Sequence, residues 1–369
     1  MTSLSPASGS SIKRIGILTS GGDCPGLNAA IRSATHAAKE KGWDVVGILN
    51  STEGMMARPI RSVPLDYARV DAVFRMGGTI LGTTSKGAQS PLNFPRADGT
   101  TYDRSQDVAD AYHELGLGGL IVIGGDGSMG ILRQIAARTD IKFVGIPKTI
   151  DNDVGATDQS IGFDTAMQVA TEALDRLQPT AASHQRVMIL EVMGRDAGHI
   201  ALNAGIAGGA DVILIPELPY TIECVSNKIN KLRDGGRQDC LIVVAEGVKG
   251  TGGEKLQVKH MDGQMRLGGI GQYLANAITK ETGAEARVTV LGHVQRGAAP
   301  SALDRMIATA SGVHAVDLIE QGKFDRMVVW KGRGITSAPL SEALDKYHTV
   351  DENDSLVQTA RSMGICTGS

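Results

Sequence analysis

Residues 14–28 read RIGILTSGGDCPGLN, and the fold can be argued from this stretch outward. Arg14–Leu18 is a short continuous apolar run, the pattern of a parallel strand covered on both faces. Three glycines and a proline follow it, and Leu27–Glu40 continues with helical spacing. A strand that turns through glycine directly into a helix is the first half of a βαβ unit. The same glycines expose backbone amides at a helix N-terminus, so Thr19–Asn28 also suits an anion seat. It is not a P-loop, because no Gly-Lys-Ser/Thr follows, and it does not fit GxGxxG.

The pattern repeats along the chain. Val45–Leu49, Leu120–Ile123, Phe143–Ile146, Val187–Glu191, Val212–Ile215, Leu241–Ala245, Val288–Leu291 and Met327–Trp330 read as further buried strands. Asp164–Leu177, Ala197–Ala207, Ile222–Arg233 and Leu303–Glu320 read as helices between them. This alternation predicts an α/β protein, and so many strands predict two mainly parallel sheets with a cleft between them. At 369 residues, with 42% hydrophobic and 21% charged residues, the chain can bury two cores. A net charge of -3 and 4% aromatic residues give no footprint for nucleic acid. No apolar run is long enough for a membrane span, and residues 1–11 lack a secretion h-region and read as a mobile arm. Cys24, Cys224, Cys240 and Cys366 are too scattered for a zinc site or a disulfide framework. The expectation is a soluble, cytoplasmic protein.

In such folds ligands bind beyond the carboxyl ends of the strands. One strand-end loop is Gly124-Gly125-Asp126-Gly127-Ser128, where glycines admit phosphates to the backbone and a carboxylate can hold Mg²⁺. Another is Lys148-Thr149-Ile150-Asp151-Asn152-Asp153; a kinase acting on a hydroxyl needs a carboxylate for its proton, although DND alone also reads as a solvated turn. Arg186, Arg195, Arg287, His293 and Arg296 stand at strand ends or starts, and Glu246 ends another strand. Arginine forks suit a phosphate. In a net-acidic chain they point to an anionic metabolite.

Taken in order, ILTSGGDCPGLNAAIR, IGGDGS, TIDND, SHQR, EVMGR, AEG and LGHVQRG closely resemble the 6-phosphofructokinases. The resemblance implies two similar three-layer α/β domains with the active site in the cleft between them. It places a donor-nucleotide domain over 12–161 plus about 296–345. A fructose 6-phosphate domain takes 162–295 plus about 346–369. It implies phosphorylation of the C1 hydroxyl of fructose 6-phosphate by ATP with Mg²⁺. Asp151 would be the base, with Thr149 and Arg195 stabilising the transferring group and Asp126 anchoring Mg²⁺. Gly21, Gly125, Asp126, Gly127 and Ser128 would cradle the donor phosphates. Arg186, Arg287, His293 and Arg296 would clamp the 6-phosphate, with Met193, Gly194 and Glu246 on the sugar. Part of that clamp, at Arg186 and Arg287, comes from a neighbouring subunit in the family, which implies a homo-oligomer, usually a tetramer.

Several positions depart from the family pattern. Lys148 resembles the pyrophosphate-using branch, whereas Gly127 leaves room for a nucleotide where that branch has Asp. Gly127 weighs more, because a clash is harder to evade than a lost attraction, so ATP is expected and pyrophosphate is the alternative. Lys86 is the nearest candidate for an arginine that bridges the donor phosphates, and Thr52 stands where an adenine-facing tyrosine is found. Of the arginines that bind effectors in allosteric relatives, Arg32 remains, and His36, Tyr67 and Gln178 replace the others. A kinase of lipid or NAD gives no reason for TIDND or HVQRG, and a non-catalytic sugar-phosphate sensor would lack a carboxylate or clamp residue that this chain keeps.

Overall fold

The computed structural model describes residues 12–84, 90–259 and 265–368. The arm expected over 1–11 lies outside them. The chain divides into two units, Met1–Thr149 with Val154–Gly162 and Ala299–Lys346, and Ile150–Asp153 with Phe163–Ala298 and Tyr347–Ser369. Residues 150–153, expected with the donor domain, group with the second unit.

A seven-stranded sheet forms the centre of the first unit. Its order is Gly334–Pro339, Arg326–Lys331, Phe143–Pro147, Gly119–Gly124, Arg14–Ser20, Asp44–Ile48 and Ser62–Pro64. The inner pairs are parallel, and the two outermost strands pair antiparallel. Every residue of Gly119–Gly124 and Phe143–Pro147 is buried, which requires cover on both faces. Helices Leu27–Glu40 and Ala302–Glu320 pack so closely that a Cβ on Gly312 would run into Ser33 Oγ and the Ala30 carbonyl. Glycine is required there by approach rather than by dihedral.

The second unit holds a four-stranded parallel sheet in the order Ala286–Val290, Val187–Val192, Cys240–Ala245 and Val212–Leu214. Helix Phe163–His184 runs past Pro179, beyond the expected end at Leu177. Ala181 is buried with Met188 and Leu241 against Leu177, and Ser183 Oγ donates to the Pro179 carbonyl at 2.7 Å, so packing holds the last turn. All nine expected strands are present, within a few residues at each end. Helices Ser105–Glu114 and Ile270–Thr282 and the antiparallel edge strands were not foreseen, and the helix that follows the GGDG loop runs over Asp126–Ala136. No helix among the described residues is long and apolar enough to cross a membrane.

Candidate active site

In the first unit, three neighbouring strands end level with one another, Ser20 beside Gly124 and Gly124 beside Pro147. Gly21, just beyond the first, has φ +85°, a left-handed backbone that favours glycine. A Cβ on it would stand 3.1 Å from Lys148 Nζ and 3.2 Å from Ser128 Oγ. Gly21, Ser128 and Lys148 thus converge on one point. Lys148 is 4% exposed, so its ammonium is held among these loops rather than solvated as an ordinary surface lysine. The Gly21 amide donates to the Thr84 carbonyl at 2.9 Å, and Thr83 Oγ1 donates to the Gly21 carbonyl at 2.6 Å. These bonds fix the loop that leads to Lys86, which itself lies outside the described residues.

Helix Asp126–Ala136 starts two residues beyond its strand, with Gly125 as an N-cap that offers no side-chain cap. Asp126, Gly127 and Ser128 therefore form a first helical turn whose amides can meet an anion. The exposed Asp126 carboxylate accepts from the Gly127 amide at 2.6 Å. It is a hard oxygen donor of the kind Mg²⁺ takes. No cluster of three or more His, Cys, Asp or Glu residues suited to a metal occurs among the described residues. One carboxylate with substrate phosphates and water is the arrangement Mg²⁺ favours, so these residues fit it. A Cβ on Gly127 meets nothing within 4 Å, so the space beside it is open.

Thr149 closes this part of the first unit, its amide donating to the Ile161 carbonyl at 3.2 Å and its carbonyl accepting from Ser160 Oγ at 2.9 Å. In the second unit, Asp151, Asn152 and Asp153 are all buried. Asn152 has a left-handed φ of +54° and turns the chain between the two carboxylates. Glu246 faces Asp151 closely enough to feel its charge. Burial first, and then that charge, push the Glu246 carboxyl up to about 7. The Arg195 amide approaches Glu246 Oε1 at 3.4 Å. Arg195 has φ +50° and follows Gly194 at φ +149°. A Cβ on Gly247 would overlap the Arg195 carbonyl, so AEG and MGR pack backbone on backbone. Buried Gln295 accepts from the Met193 amide at 2.8 Å and ties the HVQRG turn, Gly292–Arg296, to the same corner.

The arginines divide into two groups. His293 and Arg296 lie in the turn beyond the carboxyl end of Ala286–Val290, at the end of the sheet that also carries Met193, Gly194, Arg195 and Glu246. Arg186 and Arg287 lie at the amino end, where both pair with Glu285, Arg186 at 3.0 Å. A strand of six residues, at roughly 3.3 Å each, separates the groups. Within one unit the structure does not bring Arg186 and Arg287 together with His293 and Arg296, the other residues expected to form the clamp. Sequence reasoning missed Gln295, Tyr347 and His348. Gln295 was signalled only by its place inside HVQRG, and the other two had no local signal.

The first unit thus carries a backbone anion cradle holding a lysine, and the second carries buried carboxylates and cations at strand ends; each is a part that a phosphotransferase uses. Residues 14–319 match the family model described as phosphofructokinase. The chain is 57% identical over 358 residues to ATP-dependent 6-phosphofructokinase 1 of Synechocystis sp., covering 97% of this chain and 99% of that protein. It is 48% identical to ATP-dependent 6-phosphofructokinase of Thermosynechococcus vestitus, covering 97% and 94% respectively. Among solved structures, phosphofructokinase of Pichia pastoris in the T-state superposes with a TM-score of 0.78 at 30% identity, over 93% of this chain and 36% of that longer one. A pyrophosphate-dependent phosphofructokinase of Marinobacter aquaeolei shares the fold with a TM-score of 0.77 at 24% identity, covering 97% of this chain and 93% of that one. The chain belongs to the phosphofructokinase family.

Proposed function

We infer that this chain is an ATP-dependent 6-phosphofructokinase of the cytoplasm, transferring the γ-phosphoryl group to the C1 hydroxyl of fructose 6-phosphate. The observation that carries the reading is the convergence of Gly21, Ser128 and Lys148 on one anion cradle, with Thr149 and Asp151 next along the same peptide. Asp151 takes the hydroxyl proton. The freed oxygen attacks the γ-phosphorus, the bond to the β-phosphate oxygen breaks, and ADP leaves. Thr149 and Arg195 donate to the phosphoryl oxygens as charge builds on them, and the first-turn amides at Gly127 and Ser128 hold the donor. Mg²⁺, held at Asp126, neutralises phosphate charge when bound. Met193, Gly194 and Glu246 take the sugar, and His293 and Arg296 take its 6-phosphate. Such chemistry is mainly positioning and charge stabilisation.

Lys148 and Gly127 point to different donors. The open space beside Gly127 favours the nucleotide, as do the names of the relatives. The deciding experiment measures fructose 1,6-bisphosphate formed with ATP and with pyrophosphate side by side; preference for pyrophosphate overturns the donor assignment, and no product with either overturns the activity.

Arg186 and Arg287 complete the clamp of a neighbouring subunit in this reading. The edge strand that carries Arg287 supports it: Val290 is 61% exposed, and Val294 just beyond is 67% exposed, an apolar edge suited to a partner. Mixing Asp151→Asn with Arg287→Ala subunits tests it, because a mixed oligomer would regain sites holding both native residues.

A further inference from the structure

We propose that Tyr347 and His348 are positioning residues for phosphoryl transfer, holding the corner that follows Asp151; the inference rests on the reading of Asp151 as the base. The chain re-enters the second unit at Tyr347. The Tyr347 hydroxyl donates to Asp153 Oδ2 at 2.8 Å. The His348 amide donates to the Asp153 carbonyl at 3.0 Å, and His348 Nδ1 donates to the Asn152 carbonyl at 2.9 Å. Two adjacent residues therefore grip a side chain and both carbonyls immediately after Asp151. Asn152 is the residue that needs this grip, because its left-handed φ of +54° costs energy in any residue but glycine.

The gripping segment is itself fixed. His199, at the start of helix His199–Ala207, donates from Nε2 to the His348 carbonyl at 3.1 Å, and the two rings lie 4.6 Å apart. Burial holds the His199 imidazole below its ordinary pKa and keeps it a neutral donor. Two residues on, the Val350 amide donates to Glu217 Oε1 at 2.9 Å, and the same oxygen accepts from the Gly198 amide at 2.9 Å. The segment is tied from both sides of the grip.

Tyr347 is 44% exposed, while its partner Asp153 is 7% exposed, and the hydroxyl is the part of the side chain that reaches the carboxylate. Burial of that hydroxyl, and then the Asp153 charge, hold its pKa above the ordinary value, so it stays a donor throughout the working range. A general base must stay within hydrogen-bond reach of its proton, and misplacement by about 1 Å costs on the order of 100-fold in rate.

The test combines steady-state kinetics, thermal melting and a double-mutant cycle. Tyr347→Phe should lower kcat by roughly 10-fold, with KM for ATP within about twofold and the melting point near wild type. His348→Ala should lose at least as much. His348→Asn, whose amide nitrogen reaches the place of Nδ1, should recover most of the loss. On an Asp151→Asn background, Tyr347→Phe should change the residual rate by less than about twofold, since nothing remains to be positioned. Wild-type kcat in folded Tyr347→Phe and His348→Ala, or the same fractional loss with and without Asp151, overturns the inference. Unchanged kcat in Asp151→Asn alone instead overturns the base assignment on which the inference rests. Should His348→Ala fail to fold, Tyr347→Phe and His348→Asn still decide.

Discussion

In the proposed site the first unit builds its anion cradle mainly from backbone at strand ends, with Lys148 and Ser128 beside it, whereas the second assembles its acceptor corner from side chains that arrive from far along the chain. Gly21, Gly125, Asp126, Gly127 and Ser128 sit within a few residues of two strand ends, and the sheet register alone brings them level. Asp151, Arg195, Glu246 and Gln295 come from separate strand ends, and Tyr347 and His348 come from near the C-terminus. A backbone cradle tolerates side-chain change but not added bulk. The corner depends on every hydrogen bond that aims it. The two regions should therefore fail differently when mutated.

The largest effect should come from Asp151→Asn. The change is nearly isosteric in a buried site, so folding and sugar binding hold, while kcat falls by about 100-fold or more, the scale of a lost general base. Rapid-quench or coupled kinetics on the folded variant check it, and near-wild-type kcat would remove Asp151 from the mechanism.

Next is Gly127→Asp, which probes the cradle. The new side chain meets nothing of the protein within 4 Å of its Cβ, so the variant should fold. It stands where donor phosphates are expected and adds a like charge. The kcat/KM for ATP should drop by about 100-fold, with fructose 6-phosphate binding by calorimetry within about twofold. A variant that uses ATP as well as wild type breaks the contrast between a region sensitive to bulk and one sensitive to hydrogen bonds.

Glu246→Gln separates stability from function within the acceptor corner. In the folded chain the Glu246 carboxyl sits at about 7, above its ordinary 4.5, because of burial and then the Asp151 charge. The folded state thus holds a proton that the unfolded state releases. The stability from that proton is complete below about 4.5 and is lost as pH rises through about 7. Glu246→Gln should flatten this fall and melt at or above wild type at pH 8, by roughly 2–4 °C, while KM for fructose 6-phosphate rises by about tenfold. A wild-type melting curve with no decline over that window would remove the carboxyl pair from the account.

The contrast also explains what was legible. The cradle could be read because its parts are local: a strand, a glycine turn and a helix start are each written in consecutive residues. TIDND and AEG were visible as motifs, but not what holds them, since the grip of Tyr347 on Asp153 spans 194 residues. The helix after GGDG could be expected from its strand-end context, but its extent could not, because two glycines in its interior, Gly127 and Gly130, weaken its local signal. Its buried Met129, Leu132 and Ile135 supply the stabilisation that propensity does not. The split of the arginines, by contrast, was implied by the resemblance, and Glu285 shows what they pair with inside one chain.

The smallest expected effect is an absence of response to phosphoanion effectors, and it belongs to the first unit's outer face. Arg32, His36 and Tyr67 do come together: His36 and Tyr67 rings stack edge to face at 4.7 Å, and Arg32 and His36 share Asp71 Oδ1 at 2.6 and 2.8 Å. The one retained arginine is thus already paired with a carboxylate, and Tyr67 donates to Glu40 at 2.9 Å. An incoming phosphate would have to displace Asp71 and would meet its charge. Each charge-assisted bond to a phosphate is worth about 1.5–3 kcal/mol, so three fixed positive charges fewer weaken such a ligand by orders of magnitude. Of the cations that would rebuild the pocket, Arg233, Arg237 and Lys231, two are already engaged, Arg237 with Asp211 and Asp239 and Arg233 with the Thr282 carbonyl at 2.9 Å. A ligand shifts an equilibrium only by its differential binding. Fructose 6-phosphate saturation curves at neutral pH should therefore move by less than about twofold on adding sub-millimolar ADP or phosphoenolpyruvate. A large shift that Arg32→Ala abolishes would show that the effector displaces Asp71 and that this face still binds anions.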